Sequence, residues 1–470
     1  MSAQAAPSTA EDLEPAIERI WEIAQQFGLD PFPVHFELVP ASIMYEFGAY
    51  GLPGRFSHWT HGRAYHQMKT MYDYGLTKIY ELVINADPAY AFLLESNTPL
   101  QNKLVAAHVL GHSDCFKHNA FFAPTSRHML ETVGADAERF RRYEFEHGRD
   151  QVERILDAVL SIEEHVGRHR FVKRVEPRKD SVTKDKREQH APGKYDDILG
   201  IGRARDATPT KTPDAEPEED LLHFIVEHAP ELADWERDVV GSVRSEALYF
   251  APQGMTKVLN EGWASYWHSR ILRELDLTDA EYAEFARLNA DVLAHSPRQI
   301  NPYFLGVKLL EDIERRWDAP TEEEQRAGRR PGQGRAKLFE VREVETDASL
   351  IRNYLTRDLV EELDLYIYAL RGGQWVVIEK DWKRVREHLV QEVLERGRPR
   401  IVAVSADYRG RRELLLRHLS SGAELDTARA EKALRQVHCL WRRPVHLETL
   451  HNGRAAVMTF DGQRNSTQTL

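Results

Sequence analysis

Two short segments, about 150 residues apart, constrain this fold more than anything else in the chain. They are His108-Val109-Leu110-Gly111-His112 and Asn260-Glu261-Gly262-Trp263-Ala264. Histidines at i and i+4 on a helix lie about 40° apart around the axis and about 6 Å apart along it. That separation lets two imidazoles hold one metal ion. Glu261 sits on an otherwise apolar helix, and a buried carboxylate there needs a cation. Two helices distant in sequence must then meet. His108, His112 and Glu261 form a candidate site for a divalent metal, zinc, with a fourth position left for water.

Helical metalloproteases use this spacing as H-E-x-x-H, where the glutamate is the base. Here that position is Val109, so the grip is kept and the usual base is absent. Glu246, in RSEALYF, and His268 are the candidate catalytic residues in its place. His268 lies seven residues beyond Glu261, about 10.5 Å along the axis, too far for both to bind one ion. It is a base, a substrate contact or a residue behind the ligands, and Glu246 can instead orient a histidine. Val105, His108, His112, Cys115 and Asn119 share one helical stripe. The competing reading of that stripe is a hydrogen-bonded polar core. Gly111 permits close approach of another backbone, and Asn119 can reach a ligand. Asp114 points about 160° from His112, which suits capping or a salt bridge. Cys115 reads as a small buried residue rather than a soft ligand. His58, Arg63 and Tyr65, in a run rich in histidine and aromatics, suit a polar pocket wall. Asn260 and Tyr303 complete the residues expected around substrate or ligands. Asn301 is the expected N-cap of a helix with Pro302 at its first position.

At 470 residues the chain is too long for one ordinary core, so two domains are expected. With 42% hydrophobic and 29% charged residues it reads as globular. No apolar run approaches the 18 or so residues that span a bilayer. Met1 to Asp12 has neither a basic nor an apolar region, so no secretory signal is expected. Two distant cysteines, Cys115 and Cys439, exclude a disulfide framework and fit a reducing cytoplasm. A net charge of −12 argues against a nucleic-acid binder. No Walker A, G-x-G-x-x-G or G-x-S-x-G motif occurs.

The reading is α+β: a mainly helical, metallopeptidase-like N-terminal domain and a smaller α+β C-terminal domain. A disordered tail covers 1–12. The helical domain covers 13–336, with a charged linker or insertion at about 170–219. Within it, 31–67 read as an ordered loop with short strands, 76–85 as strand-like, 99–122 as a helix capped by Thr98, and about 135–169 as one further helix. Beyond 337 the period changes. LDLYIYAL, Gly372-Gly373 and WVVIEK form a hairpin pattern, as do VHLETL, HNGR and AAVMTF. This α+β domain ends near 462, and 463–470 read as a tail.

LPGRFSHWTHGRAY, HVLGHSDCFKHNAFF, DWERDVVGSVRSEALYFAPQ, TKVLNEGWASYWH and NPYFLG, in that order, resemble the SpoVR family, stage V sporulation protein R. The resemblance runs from about 15 to 460. It implies a bacterial cytoplasmic protein linked to the spore cortex, a peptidoglycan layer, though many bearers form no spores. It also implies a serine protein kinase and a von Willebrand-type protein as partners. It supplies no reaction. Cys115 and His118 stand where many members have Phe and Asn. The helical His-x-x-x-His with a later Glu-Gly-Trp-Ala is also similar to helical zinc carboxypeptidases, over those two segments alone. The functions implied are amide hydrolysis of a small peptide-like ligand or, alternatively, a non-catalytic metal-binding regulator or scaffold.

Overall fold

The computed structural model describes residues 10–74, 81–167, 217–295, 300–420 and 422–470. Of the tail expected over 1–12, residues 1–9 lie outside the described residues and 10–12 are helical; most of the linker expected over about 170–219 also lies outside them. Helix α1 (Ala10–Gln26) and strand β1 (Val34–Val39) come first. The loop expected over 31–67 contains two helices, α2 (Ala41–Tyr50) and the start of α3 (Trp59–Asp73). Glycines and prolines punctuate their ends and hid them: Pro40 precedes α2, and Gly51, at φ 78°, stops it. Strands β2 (Glu81–Ile84) and β3 (Ala89–Leu94) then lead into α4 (Pro99–His118). One long helix was expected from 135; instead α5 (Met129–His147) and α6 (Arg149–Leu160) meet at Gly148, whose φ of 88° breaks the run.

Helical structure resumes with α7 (Leu221–His228), α8 (Asp234–Met255), α9 (Lys257–Arg273), α10 (Asp279–Val292) and α11 (Pro302–Asp318). Then come α12 (Glu322–Arg326), α13 (Gly334–Val344), α14 (Asp347–Tyr354) and α15 (Arg357–Glu362). The hairpin of β4 (Ile367–Arg371) and β5 (Gln374–Glu379) turns at Gly372-Gly373, both with positive φ, as a type I′ turn requires. After α16 (Trp382–Glu395) the C-terminal region holds β6 (Ile401–Tyr408), β7 (Glu413–His418), α17 (Thr427–Trp441), β8 (Val445–His451), β9 (Arg454–Phe460) and β10 (Asn465–Thr469). The expected tail is thus a strand: β10 pairs antiparallel with β9.

Among the described residues there are three sheets. The first has order β1-β3-β2, with β1 parallel to β3 and β2 antiparallel at its edge. The C-terminal sheet has order β10-β9-β8-β7-β6, and α17 makes the crossover that its one parallel pair, β7 and β8, demands. The third is the β4-β5 hairpin. The molecule is therefore mixed α+β, mostly helical in its N-terminal part, with a sheet-containing C-terminal region.

Apolar burial forms two main cores. One joins α1, α4, α9, α11 and α13 to α16, through Ile20, Leu110, Trp263, Leu309, Leu338, Ile351 and Val385. The other joins α5 to α8 with the C-terminal sheet and α17, through Phe140, Leu156, Val243, Leu414, Leu434 and Trp441. The expected boundary at 337 falls inside the first core. The pattern changes there, but the apolar faces of α13 to α16 still close over α9 and α11. Among the described residues, no helix is long and apolar enough to cross a membrane.

Candidate metal centre

Helix α4 is fixed in register by a capping box. Thr98 Oγ1 accepts from Gln101 N at 3.1 Å, and Gln101 Oε1 accepts from Thr98 N at 3.1 Å. From that start His108 and His112 fall on the face turned to α9. The two helices touch at Gly111, where a Cβ would meet Ala264 Cα at 2.6 Å. Helix α9 approaches α11 as closely: a Cβ on Gly262 would meet Gly306 Cα at 2.5 Å. Asp347 holds the start of α9, its Oδ1 accepting from Leu259 N at 2.9 Å.

The ligand atoms converge. Glu261 Oε2 lies 3.4 Å from His108 Nε2 and 3.5 Å from His112 Nε2. Glu81 Oε1, from the edge strand β2, lies 3.4 and 3.5 Å from the same two atoms. Glu81, His108 and His112 bring their ligand atoms within 4.8 Å of one another. Two donors about 2.1 Å from one zinc ion, at a tetrahedral angle, are themselves about 3.4 Å apart. Glu81, His108 and His112 therefore fit a cation, and Glu261 lies within 3.5 Å of both imidazoles. Oε2 of both glutamates is buried and makes no hydrogen bond among the described residues. Sequence reading missed Glu81. Its signal was the one used for Glu261, a carboxylate in an apolar run, here ELVI.

Groups behind the imidazoles decide which nitrogen faces the centre. His112 Nδ1 donates to Asn260 Oδ1 at 2.9 Å, since the amide oxygen only accepts. In its neutral form His112 then presents the lone pair of Nε2 to the centre. His108 Nδ1 stands 2.8 Å from His268 Nδ1, so one of the two must donate. His268 Nε2 faces Asn289 Oδ1 at 3.5 Å and carries the proton of that ring. His268 Nδ1 therefore accepts from His108, and His108 Nε2 also turns a lone pair inward. Burial and the neighbouring His108 push the pKa of His268 far down, which keeps it a neutral acceptor. His268 thus lies behind His108, in the orienting position, and Asn260 does the same for His112.

The charges of the cluster offset one another. Burial pulls His112 down, but Glu261 and Glu81 outweigh it and hold the imidazole up to about 10. Burial raises Glu261, and the two histidines more than reverse this, leaving it well below the carboxylate range. Tyr303 stacks on His108 at 6.0 Å; burial, Glu261 and Glu81 push its phenol up.

The remaining expected residues are placed as follows. Asn119 faces away, its Nδ2 donating to Arg342 O and Glu345 O at 2.7 and 3.0 Å. Asp114 makes the salt bridge foreseen for it, with Arg342 Nη1 at 2.7 Å, and also accepts from Trp263 Nε1 at 2.9 Å. Cys115 is fully buried, and burial pushes its thiol up. His58 caps α3 and contacts Asp157 Oδ1 at 3.2 Å. Arg63 lies over Trp59 on the surface, and Tyr65 is half-buried beside His66. None of His58, Arg63 and Tyr65 lines the cavity above the centre.

That cavity measures about 480 Å³, and Glu81, His112, Asn260, Glu261 and Glu246 open onto it. Glu246 Oε2 accepts from Arg55 Nε at 2.5 Å, while its Oε1 is buried without a partner. Burial raises Glu246 to about 7 against the pull of Arg55. Arg55 and Glu163, also on this wall, were not foreseen; nothing in their local sequence separates them from surface charges.

A family model described as SpoVR like protein matches residues 8–398, and one described as SpoVR-like C-terminal domain matches 399–452. The uncharacterized protein YcgB of Escherichia coli (strain K12) is 28% identical over 475 residues, covering 93% of this chain and 91% of its own. No solved structure matches the chain.

Proposed function

The chain belongs to the SpoVR family, and from that premise we propose that it is a metal-dependent hydrolase of amide bonds in a small peptide-like ligand. His108 and His112, with Glu261 and Glu81 as the carboxylate donors, would hold a divalent ion, zinc. One observation carries the reading: two buried imidazoles, each turned inward by a partner behind it, meet two carboxylates on the wall of a cavity of about 480 Å³. When bound there, such an ion supplies Lewis acidity and acidifies water. The metallopeptidase-like character of the helical domain belongs to this proposal.

Proton transfer falls to Glu246. Val109 is turned into an apolar cluster with Leu13, Ala91, Leu93 and Val105, so the H-E-x-x-H position offers nothing. Glu246 lines the cavity, keeps Oε1 unpartnered, and is raised to about 7, where a carboxylate both accepts and returns a proton at neutral pH. Arg55 fixes its orientation through Oε2. The family link to the spore cortex makes a peptidoglycan-related peptide the natural substrate class.

Metal analysis of purified protein tests the centre. About one ion per chain is expected in the wild type, and a loss of most of it in His108→Ala, Glu261→Gln and Glu81→Gln. The same trace content in all four samples removes the proposal. One observation favours the alternative, a non-catalytic metal-binding regulator working with the kinase and von Willebrand-type partners of the family. Four protein donors close a zinc shell, as structural sites do. X-ray absorption of the zinc-loaded protein separates the two. A fifth, exchangeable oxygen supports hydrolysis, and a shell of four protein donors alone supports the regulator.

A further inference from the structure

Apart from the ligand groups, the charged side chains lining the cavity are four cations, Arg55, Lys257, Arg396 and Arg398, and three acids, Glu163, Glu164 and Glu246. Arg55 meets Glu246 at 2.5 Å and Glu163 at 3.7 Å, and Arg398 meets Glu164 at 2.5 Å. Two cations thus serve all three acids, Arg55 being shared between Glu246 and Glu163. Lys257 and Arg396 make no ion pair among the described residues. Both are exposed, whereas the side chains of His112 and Glu261 are 6% and 17% exposed. The ligand groups form the floor of the cavity, and the two unmatched cations stand at its rim. With Glu81 and Glu261 counted, the lining carries five carboxylates and four cations, so the positive charge is confined to this pair at the rim.

Arg396 is also held in place. It ends α16 with a left-handed φ of 51°. Its guanidinium lies so close over Gly254 that a Cβ there would meet Nη1 at 1.8 Å. Glycine at 254 is what makes room for it. A cavity of about 480 Å³ has the size of a small-ligand site and admits a few residues, not a folded chain.

We propose that Lys257 and Arg396 form an anion subsite that takes the carboxylate of a short peptide, whose chain runs from the rim toward His112 and Glu261. The choice of a peptide as occupant rests on the hydrolase reading; the charge of the subsite does not. A guanidinium can take a carboxylate through two parallel hydrogen bonds, which gives geometry as well as charge. Because the rim is exposed, the interaction weakens with salt.

The test is calorimetric titration of the full-length, metal-loaded protein with three probes: an N-acetylated tripeptide acid, its C-terminal amide, and inorganic phosphate. Expected is saturable binding of the acid, about tenfold weaker binding of the amide, and affinity that falls as salt rises. Arg396→Ala and Gly254→Ala should each lose about tenfold for the acid and little for the amide, and Arg396→Lys should recover part of that loss. Thermal melts of the same samples establish that each variant is folded. Equal binding of acid and amide, no binding of either, or phosphate binding as tight as the acid overturns the subsite. Metal content measured alongside keeps the two proposals apart. Full metal without discrimination between acid and amide removes the subsite alone. Discrimination without metal in the wild type removes the hydrolase reading alone.

Discussion

His112 concentrates the electrostatics of the centre in one side chain. Its pKa is raised from 6.5 to about 10 by Glu261 and Glu81, against its burial. The stability it contributes is therefore complete below about 6.5 and is lost as pH rises toward about 10. Metal-free protein should show a melting temperature that falls across this interval, and His112→Gln should lack that fall. Loading with metal should also abolish it, because a ligating imidazole is neutral. Parallel slopes in all three samples would show that His112 holds no such proton. Asp114 is the structural counterpart on the other side of α4. It is fully buried and answers Arg342, Trp263 and the amide of Asp30. Asp114→Asn leaves buried Arg342 with only the half-exposed Glu343, at 3.1 Å, to answer its charge, and a loss of about 3 kcal/mol is expected in urea unfolding. A loss below about 1 kcal/mol would mean that Glu343 or water answers Arg342 in place of Asp114.

At the scale of elements, the centre is a consequence of how closely α4 and α9 approach. Gly111→Ala must push Ala264 away and separate the helices that carry His108, His112 and Glu261. Overpacking of about 1–3 kcal/mol is expected, together with a loss of metal affinity. Gly134, in α5, has open space where its Cβ would go. Gly134→Ala should stabilise by about 0.5–1 kcal/mol through helix propensity and leave metal content unchanged. Denaturant unfolding and metal analysis of both variants check the pair; a Gly111→Ala protein as stable and as metal-rich as the wild type would show that the approach is not tight. Much at this scale was legible in the sequence. Thr98 and Asn301 cap the helices foreseen for them, and Asn301 Oδ1 accepts from Tyr303 N at 3.0 Å. The Gly372-Gly373 turn lies where its pattern put it. Helices α2 and α3 were not legible, because short helices bounded by Pro and Gly give the composition of a loop.

For the molecule as a whole, the cavity sits where the two cores meet. Helix α8, with Glu246, belongs to one and α9, with Glu261, to the other, and the chain passes between them at Thr256. The C-terminal sheet closes the second core, since Leu414, Leu434 and Trp441 are buried with Leu156 and Val243. A chain ending at 398 would expose that face of α5 to α8. Such a truncation should bind a hydrophobic dye and melt well below the full-length protein. An unchanged melting temperature, with no dye binding, would show that the sheet is an independent unit.

The sequence by itself determined what depends on neighbours along the chain: helix periods, caps, glycine turns, and the face shared by His108 and His112. It also marked Glu261, because a carboxylate on an apolar helix is conspicuous wherever that helix lies, and Gly111 as a point of close approach. The tertiary structure alone decided the rest. Glu81 joins the centre because β2 pairs with β3 and β3 lies against α4, a relation between segments that no local pattern records. Asn119 was expected to reach a ligand, and His268 to be a base, a substrate contact or a residue behind the ligands. Packing committed one to backbone carbonyls and set the other behind His108. The boundary expected at 337 was not one of packing, since a change of secondary structure is written locally whereas a core is defined by which faces close together.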